Sequence, residues 1–308
     1  MHSIKVSSPG TLSNLCCGFD ILGMAVQAPF DIIQVSKRND PGISIKHIDT
    51  YGLPEDPAKN IAGVSLLAMI DMLDYKEGFD VVIEKKIKPG SGLGSSAASA
   101  AGVVVAANEL LGNPLSYKDL IALAMEGEAM ASGSRHMDNV APCILGGTVL
   151  IRDSAQMDVV RLNNPDLHIS IVHPQIEIKT SYAREILPVD IPLKKAVSQW
   201  ANVGGLISGI CMNDLKLIER SLVDVIIEPV RSKLIPGFDE AKQRALDAGA
   251  MGGGISGSGP SMFMFSQDEH TATCVAKEMQ MVFERLNIEC KSYVTKPSSM
   301  GVQVLESK

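Results

Sequence analysis

A loop rich in glycine and serine, residues 87–98, carries the clearest chemical signal in the sequence. It reads Ile-Lys-Pro-Gly-Ser-Gly-Leu-Gly-Ser-Ser-Ala-Ala, and an alanine-rich run follows that is predicted to open a helix. Its three glycines allow the backbone to approach a ligand closely and to take positive φ. A helix N-terminus presents N–H groups and a partial positive charge, which hold phosphate well. The residues therefore indicate an anion site, although a tight packed turn would have a similar composition.

Two serines at the end of this loop widen its chemistry. The hydroxyls of Ser95 and Ser96 could cap the helix, bind a phosphate oxygen or ligate Mg²⁺. The loop is not a Walker A loop, because no Gly-Lys-Ser/Thr ends it, and its glycines are not spaced as GxGxxG.

Residues 89–98 strongly resemble the ATP-binding signature of the GHMP kinases, a family that includes galactokinase and mevalonate kinase. In that family the loop wraps the nucleotide phosphates, and the second serine of the pair helps to bind Mg²⁺. The resemblance implies that Ser96 is that serine. It also implies contacts to ATP from Pro89, Gly90, Ser91, Gly92, Leu93, Gly94, Ser95, Ser96 and Ala97.

Two further segments occur in the order that this family shows. Residues 8–20 resemble its N-terminal substrate motif, with Cys16 where the pattern usually has glycine. Because cysteine needs negative φ more than glycine does, we expect the backbone to differ slightly there. Residues 252–261 resemble the C-terminal glycine motif, which implies that Gly257 and its neighbours support the phosphate loop from the other domain.

The middle segment, residues 126–147, is similar to one branch of the family, the homoserine kinases. Glu128 lies eight residues before His136, as the metal-binding glutamate of that branch does. One carboxylate and one hydroxyl, completed by water and phosphate, suit Mg²⁺. The resemblance thus implies a metal site at Ser96 and Glu128, with Glu126 as the competing candidate.

This branch also implies the acceptor, L-homoserine, which carries an ammonium, a carboxylate and a hydroxyl. The resemblance assigns Asn14 and Asp20 to the amino-acid end and Asn139 to the hydroxyl, with His136 and Asp138 beside it. For the carboxylate, the resemblance points to two arginines, whose guanidinium groups can bond it bidentately. The segments that match the branch here contain Thr180, Arg184 and Arg231.

Asn60 opens a predicted helix, so capping is its ordinary explanation. The resemblance also suggests a position near the adenine.

The implied reaction is transfer of the γ-phosphoryl group of MgATP to L-homoserine, giving O-phospho-L-homoserine in threonine biosynthesis. We hypothesise that Asn139 orients the hydroxyl and that no carboxylate is essential as a base, although Asp138 is the nearest acid in sequence. Two alternatives remain: a kinase for another alcohol such as mevalonate or shikimate, and a nucleotide-binding regulator without catalysis. The intact loop, Glu128 and Asn139 weigh against the regulator.

The elements that must position these residues do not alternate strictly between strand and helix, which favours an α+β fold. Hydrophobic periodicity predicts helices at 60–73, 97–111, 117–131, 193–210, 211–225, 238–248 and 272–286. Strands are predicted at 4–6, 31–35, 43–48, 79–83, 146–151, 169–173, 261–265 and 292–294. The resemblance implies a ribosomal-protein-S5-domain-2-like N-terminal domain and a ferredoxin-like C-terminal domain. The polar stretch 152–158 suggests division into residues 1–155 and 156–308.

Composition limits the partners and the compartment. The chain has 308 residues, a net charge of −7 and 45% hydrophobic residues, which is globular composition without the basic surface of a nucleic-acid-binding protein. Its six cysteines form no CxxC pair, so we expect reduced, mostly buried thiols. No secretory signal or membrane-length apolar run is visible. We therefore expect a cytoplasmic enzyme without nucleic-acid or membrane partners, and the resemblance allows a homodimer.

Overall fold

The computed structural model describes residues 2–132 and 136–308. Its first part contains β1 (Ser3–Ser13), β2 (Leu22–Arg38), β3 (Gly42–His47), α1 (Ile61–Leu73), β4 (Gly78–Glu84), α2 (Ser95–Leu110), α3 (Tyr117–Ser132), α4 (Met137–Leu145), β5 (Thr148–Asp153) and β6 (Asp158–Leu162). There follow β7 (His168–Pro174), α5 (Thr180–Glu185), α6 (Leu193–Met212), α7 (Leu215–Ser221), α8 (Glu228–Arg231), α9 (Phe238–Asp247), β8 (Gly252–Ile255), β9 (Met262–Ser266), α10 (Glu269–Arg285), β10 (Cys290–Thr295) and β11 (Gln303–Ser307).

The first sheet is built around the two long N-terminal strands. Its order is β11-β1-β2-β4-β3, β5 also pairs with β2, and β6 pairs with β5. Only β3 and β4 run parallel among these pairs. Both β6 and β11 follow residue 155 in the chain, and both hydrogen-bond in this sheet. The division at residue 155 stays a prediction.

Helix α2 occupies the centre of the first layer. It packs against β1 and β2 on one side and against α1, α3 and α4 elsewhere. Its alanines explain this position, because small side chains allow close approach on every face of the helix. Nearly all of its residues are buried, including Ala97, Ala98, Ala100 and Ala101. This packing fixes the position of the α2 N-terminus, which directly follows the glycine loop.

The second sheet has the order β10-β7-β9-β8, and all of its pairs are antiparallel. Along the chain, β7 is followed by helices, the β8–β9 pair, α10 and β10, which is the β-α-β-β-α-β succession of ferredoxin-like folds. Helices α9 and α10 cover it with a second hydrophobic core that includes Phe238, Met279 and Phe283. The predicted α+β class is confirmed.

The helix predicted over residues 211–225 is present but shorter, because α7 covers only Leu215–Ser221. Helix α6 continues to Met212 and ends at Asn213, whose φ of 53° lies in the left-handed region. Asp214 then starts α7, because its side chain accepts a hydrogen bond from the Leu217 amide. Asparagine tolerates the left-handed conformation and aspartate is a preferred N-cap, so the Asn-Asp pair divides the two helices.

Helix α4 was not predicted from the sequence. It has nine residues and contains Pro142, which lacks the N–H group that a helix interior needs. The helix matters for function because it carries Asp138 and Asn139.

All six cysteines are free thiols, and Cys16, Cys17 and Cys143 are buried. In the part of the chain that the structure describes, no helix is long and apolar enough to span a bilayer.

Candidate active site

A cavity of about 830 Å³ brings together residues from segments far apart in the sequence. Most of the predicted site residues line it: Asn14, Asp20, Pro89, Gly90, Ser91, Gly92, Gly94, Ser95, Ser96, Glu128, His136, Asp138, Asn139, Thr180, Arg184, Arg231 and Gly257. Leu93, Ala97 and Asn60 are not among the lining residues. Residues 133–135 of the predicted middle segment lie outside the described residues.

The glycine loop ends at the first turn of α2, two residues earlier than predicted. Gly94 precedes the helix with a φ of 67°, and a Cβ there would lie 1.9 Å from Thr11 Oγ1. Only glycine fits such a position without rearrangement. The Ser95 hydroxyl donates to the Ile87 carbonyl at 2.8 Å, while Ser96 lines the cavity. The first helical N–H groups lack intrahelical acceptors, so this end of the cavity suits an anion.

The C-terminal glycine motif packs directly against this loop. Ser256 Oγ donates to the Gly92 carbonyl at 2.6 Å, and the Ser261 amide donates to the Ser91 carbonyl at 3.2 Å. The carbonyl of Gly257 accepts from Asn14 Nδ2 at 2.9 Å and from Arg231 Nη1 at 3.0 Å. This motif thus contacts both the glycine loop and the N-terminal motif.

The N-terminal motif turns sharply through three successive residues with positive φ. Asn14, Leu15 and Cys16 have φ values of 70°, 41° and 70°. Cys16 therefore adopts the left-handed conformation that favours glycine. It does not take the negative φ on which the expected difference in backbone was based. Asn14 stabilises the turn, because its Oδ1 accepts from the Asp20 amide at 3.0 Å.

Charged side chains form a continuous series across the cavity. Arg184 Nη2 donates to both carboxylate oxygens of Asp20, at 2.9 and 3.0 Å. The same nitrogen lies 3.4 Å from His136 Nε2, and His136 Nδ1 lies 3.2 Å from Glu128 Oε1. Burial acts to lower the pKa of His136, but the hydrogen bond and charge of Glu128 outweigh it, so the pKa is raised.

Asp138 and Asn139 lie side by side in the first turn of α4 and have different surroundings. Asp138 is fully buried, and burial, followed by the charge of Asp20, raises its pKa to about 7. Asn139 Oδ1 accepts from the Thr11 hydroxyl at 2.7 Å. The amide NH₂ group of Asn139 remains as a donor for a ligand oxygen.

Two guanidinium groups lie over one aromatic ring beside the cavity. The Cζ atoms of Arg231 and Arg184 are 5.0 and 5.5 Å from the centre of the Phe19 ring. Arg231 is buried, and its Nε donates to the Ala183 carbonyl at 2.9 Å. Burial lowers the pKa of Arg231 to about 10, which still leaves a cation at neutral pH.

Family models match both halves of the chain, the GHMP kinase N-terminal domain over residues 60–147 and the GHMP kinase C-terminal domain over residues 206–284. The chain belongs to the GHMP kinase family. With this family and its relatives, the chain is an ATP-dependent phosphotransferase.

Several relatives of this GHMP kinase are named homoserine kinase. A homoserine kinase of Chlorobaculum tepidum is 42% identical and covers 100% of this chain and 99% of its own length. A homoserine kinase of Chlorobium phaeobacteroides is 42% identical over 99% of this chain and 100% of its own length. The crystal structure of homoserine kinase from Cytophaga hutchinsonii superposes with a TM-score of 0.96 at 46% identity, covering 99% of this chain and 98% of the other.

The donor set of this GHMP kinase fits the metal that the family implies. Glu128 and Ser96 both line the cavity, whereas Glu126, the competing candidate, is exposed and does not. Within the described part of the chain, no group of three or more His, Cys, Asp or Glu side chains could hold a metal. A site with one carboxylate and one hydroxyl suits Mg²⁺, which usually takes its other ligands from water and phosphate.

Asn60 caps α1, as its position in the sequence suggested. Its Oδ1 accepts from the Ala62 amide at 2.9 Å, and its Nδ2 lies 2.5 Å from the Pro54 carbonyl and 2.9 Å from His47 Nε2. The side chain is therefore engaged within the protein. The apolar neighbours Leu53 and Ile61 line the cavity there.

Sequence reasoning missed four of the residues that line the cavity. Lys85, Lys88, His173 and Gln175 all line it, and Lys88 Nζ donates to Gln175 Oε1 at 2.9 Å. The two lysines stand directly before the glycine loop in sequence, but lysine is usually a solvated residue. Nothing in the local sequence distinguishes His173 and Gln175 from other residues at the end of a strand.

His173 should make the protein less stable in mild acid. Burial and then the charge of Lys88 lower the pKa of His173 to about 4, against about 6.5 for an unfolded histidine. Between these values the unfolded chain binds the proton and the folded chain does not, so stability falls as the pH falls. We expect His173→Gln to remove about 2 kcal/mol of the loss between pH 8 and pH 5.

Urea unfolding at the two pH values measures this difference. His270→Gln, at an exposed position, is the matched control and should keep the wild-type pH dependence. An unchanged slope in His173→Gln would show that this histidine titrates alike in both states.

Proposed function

We propose that this GHMP kinase transfers the γ-phosphoryl group of MgATP to the side-chain hydroxyl of L-homoserine, giving O-phospho-L-homoserine for threonine biosynthesis. The observation that carries the proposal is the pairing of two sites in one cavity. A glycine loop at a helix N-terminus lines this cavity together with Asp20, Arg184 and Arg231. The names of the relatives support the same acceptor.

The charges of Asp20, Arg184 and Arg231 complement those of a zwitterion. The ammonium group of an amino acid would bind the Asp20 carboxylate, and its carboxylate would bind the guanidinium groups of Arg184 and Arg231. Asp20 and Arg184 neutralise each other in an ion pair. A zwitterion can replace this ion pair without leaving either charge unpaired, whereas an alcohol with a carboxylate but no ammonium, such as mevalonate or shikimate, would leave Asp20 unpaired.

The glycine loop and the N-terminus of α2 would bind the phosphates of ATP through their backbone amides. Ser96 and Glu128 would hold Mg²⁺, which neutralises charge on the phosphates when bound. The apolar side chains of Leu53 and Ile61 offer a surface for the adenine. Asn60, which is occupied by its own hydrogen bonds, would support this surface from behind.

The reaction joins the hydroxyl oxygen of the acceptor to the γ-phosphorus as the bond to the leaving oxygen of ADP breaks, and the hydroxyl proton passes to an oxygen of the transferred phosphoryl group. Transfers of this kind depend mainly on positioning and charge stabilisation. The amide NH₂ of Asn139 would orient the hydroxyl, and Thr11 fixes that amide through its bond to Oδ1. Thr180 would line the acceptor site from the start of α5, where its hydroxyl lies 3.3 Å from that of Ser258.

We expect Asp138→Asn to keep kcat within about tenfold of wild type, because the proposal needs no carboxylate as a base. Asparagine preserves the shape of the buried side chain. The measurement is kcat and KM for L-homoserine at pH 7 to 8, with a melting curve for each protein. A drop in kcat of more than ~10³ with unchanged substrate affinity would instead make Asp138 the base.

A coupled ADP-release assay tests the function itself. The acceptors are L-homoserine, mevalonate and shikimate, with a reaction lacking acceptor as the background. Turnover with L-homoserine alone is the expected result. Turnover with another alcohol would overturn the acceptor, and ATP binding without turnover on any acceptor would favour the regulator.

Two further properties belong to the proposal. Both substrates are small metabolites, so we place the reaction in the cytoplasm. A homodimer is predicted because enzymes of this branch of the family are often dimers. Light scattering after gel filtration tests this prediction.

A further inference from the structure

A buried group of three polar residues closes the base of the glycine loop. It consists of Asp31 on β2, Lys85 just after β4 and Ser95 at the start of α2, and we call it the loop clasp. The side chains of Asp31 and Lys85 are 0% and 1% exposed and form an ion pair. These residues are widely separated in sequence, and none of them carries a charge that the proposed reaction uses directly.

Asp31 holds the segment that enters the loop. Its Oδ1 accepts from the backbone amides of Lys86 at 2.8 Å and Ile87 at 2.9 Å, while its Oδ2 bonds the Lys85 ammonium. The aspartate thus fixes three successive residues at the point where the chain leaves the sheet. Because Asp31 lies inside a long strand of the central sheet, it gives the loop a rigid reference.

Lys85 holds the segment that leaves the loop. Besides Asp31, its ammonium donates to the Ser95 carbonyl at 2.7 Å and to Ser99 Oγ at 3.0 Å, both in the first turns of α2. An ammonium group has three donors, so these three acceptors use all of them. Lys85 borders the cavity but has no N–H group left for a ligand. Its effect on a ligand must therefore pass through the loop.

The third member completes the closure, because Ser95 Oγ donates to the carbonyl of Ile87 at 2.8 Å. Entry and exit of the loop are thereby tied to each other as well as to the sheet. Stability alone is a weak reason for this arrangement. A buried ion pair often contributes little net stability compared with apolar residues, and a cation beside a helix N-terminus opposes the helix dipole.

We propose that Asp31 and Lys85 are positioning residues that keep the glycine loop in the conformation that receives the nucleotide phosphates. The inference rests on the proposed ATP site. The clasp would fix the loop amides before the nucleotide arrives. The entropy cost of ordering them would then not weaken the binding free energy. Loss of the clasp should then weaken binding of the phosphates and leave adenosine binding unchanged.

The test compares ADP with adenosine as probes of one site. The main variant is the double substitution Asp31→Asn with Lys85→Met, which removes the ion pair and keeps the net charge of the protein. Lys85→Met alone is the second variant, although it leaves a buried carboxylate without its cation and could fold poorly. Dissociation constants come from calorimetry on the folded proteins, with melting curves and KM values for L-homoserine alongside.

We expect the double variant to bind ADP at least about tenfold more weakly, adenosine within about twofold of wild type, and L-homoserine with an unchanged KM. The matched control replaces another ion pair at constant net charge, Arg244→Met with Glu278→Gln, between α9 and α10. This control should bind ADP as wild type does, even if it melts earlier.

Three results would overturn the inference. Unchanged ADP affinity in a destabilised double variant would make the clasp purely structural. Equal weakening of ADP and adenosine would mean that the whole site had shifted. Wild-type protein that binds no ADP would remove the proposed function, and the inference with it, which separates that failure from the first two.

Discussion

Replacing Glu128 by glutamine should lower kcat/KM by about 10²–10³ at limiting Mg²⁺, and part of the loss should return as Mg²⁺ is raised. The carboxylate is buried, lines the cavity on α3 and is the acid that the donor set offers to the metal. Glutamine keeps the shape but removes the charge, so the expected defect is weaker binding of the ion. The measurement is the coupled assay over a range of free Mg²⁺ at saturating ATP.

A matched control lies two residues away on the same helix. Glu126 is exposed and does not line the cavity, so Glu126→Gln should keep wild-type activity and Mg²⁺ dependence. The Mg²⁺ dependence also distinguishes metal binding from a structural role of Glu128. Its carboxylate lies 3.2 Å from His136 Nδ1 and could serve to position that histidine. If Glu128 served only to place His136, the activity would fall without a change in the Mg²⁺ dependence. Loss of activity in Glu126→Gln alone would reverse the assignment.

The parts of the site that follow from local sequence were predictable. The glycine loop had to lie before a helix, because its glycines allow positive φ and its alanines favour a slim, buried helix; the structure has φ values of 74°, 82° and 67° at Gly90, Gly92 and Gly94. The α+β fold and its ferredoxin-like second sheet followed from the order of elements and the family resemblance. The glycine loop and the individual helices and strands were predictable because each depends on residues close together in the chain.

The parts that depend on distant contacts were not predictable. Nothing near Asp31 in the sequence points to Lys85, since their contact forms only when β2 and β4 pair. The same holds for the hydrogen bond from Asn14 to Gly257, which joins residues 243 positions apart. Local signals also competed in α4, where Pro142 concealed a helix that carries two residues of the site. Tertiary packing decided each of these features.

Arg231→Met should raise KM for L-homoserine by about 30- to 150-fold, because a charged hydrogen-bond donor at a carboxylate contributes roughly 2–3 kcal/mol. We expect kcat at saturation to change less, since the arginine would bind the acceptor in the ground state and the transition state alike. The ADP dissociation constant should stay as in wild type. Arg231→Lys keeps the charge and loses the planar fork, so it should fall between the two.

The arginine also has a structural role, and the experiment must separate the two. Its Nε and Nη1 bond the carbonyls of Ala183 and Gly257, and methionine leaves both without that donor. The acceptor 3-aminopropan-1-ol, which is homoserine without its carboxylate, resolves this ambiguity. If Arg231 binds the carboxylate, wild type and Arg231→Met should use this alcohol equally poorly, because the group that the arginine recognises is absent. If the substitution instead disorders the site, the variant should be worse than wild type with both acceptors, and the carboxylate assignment would fail.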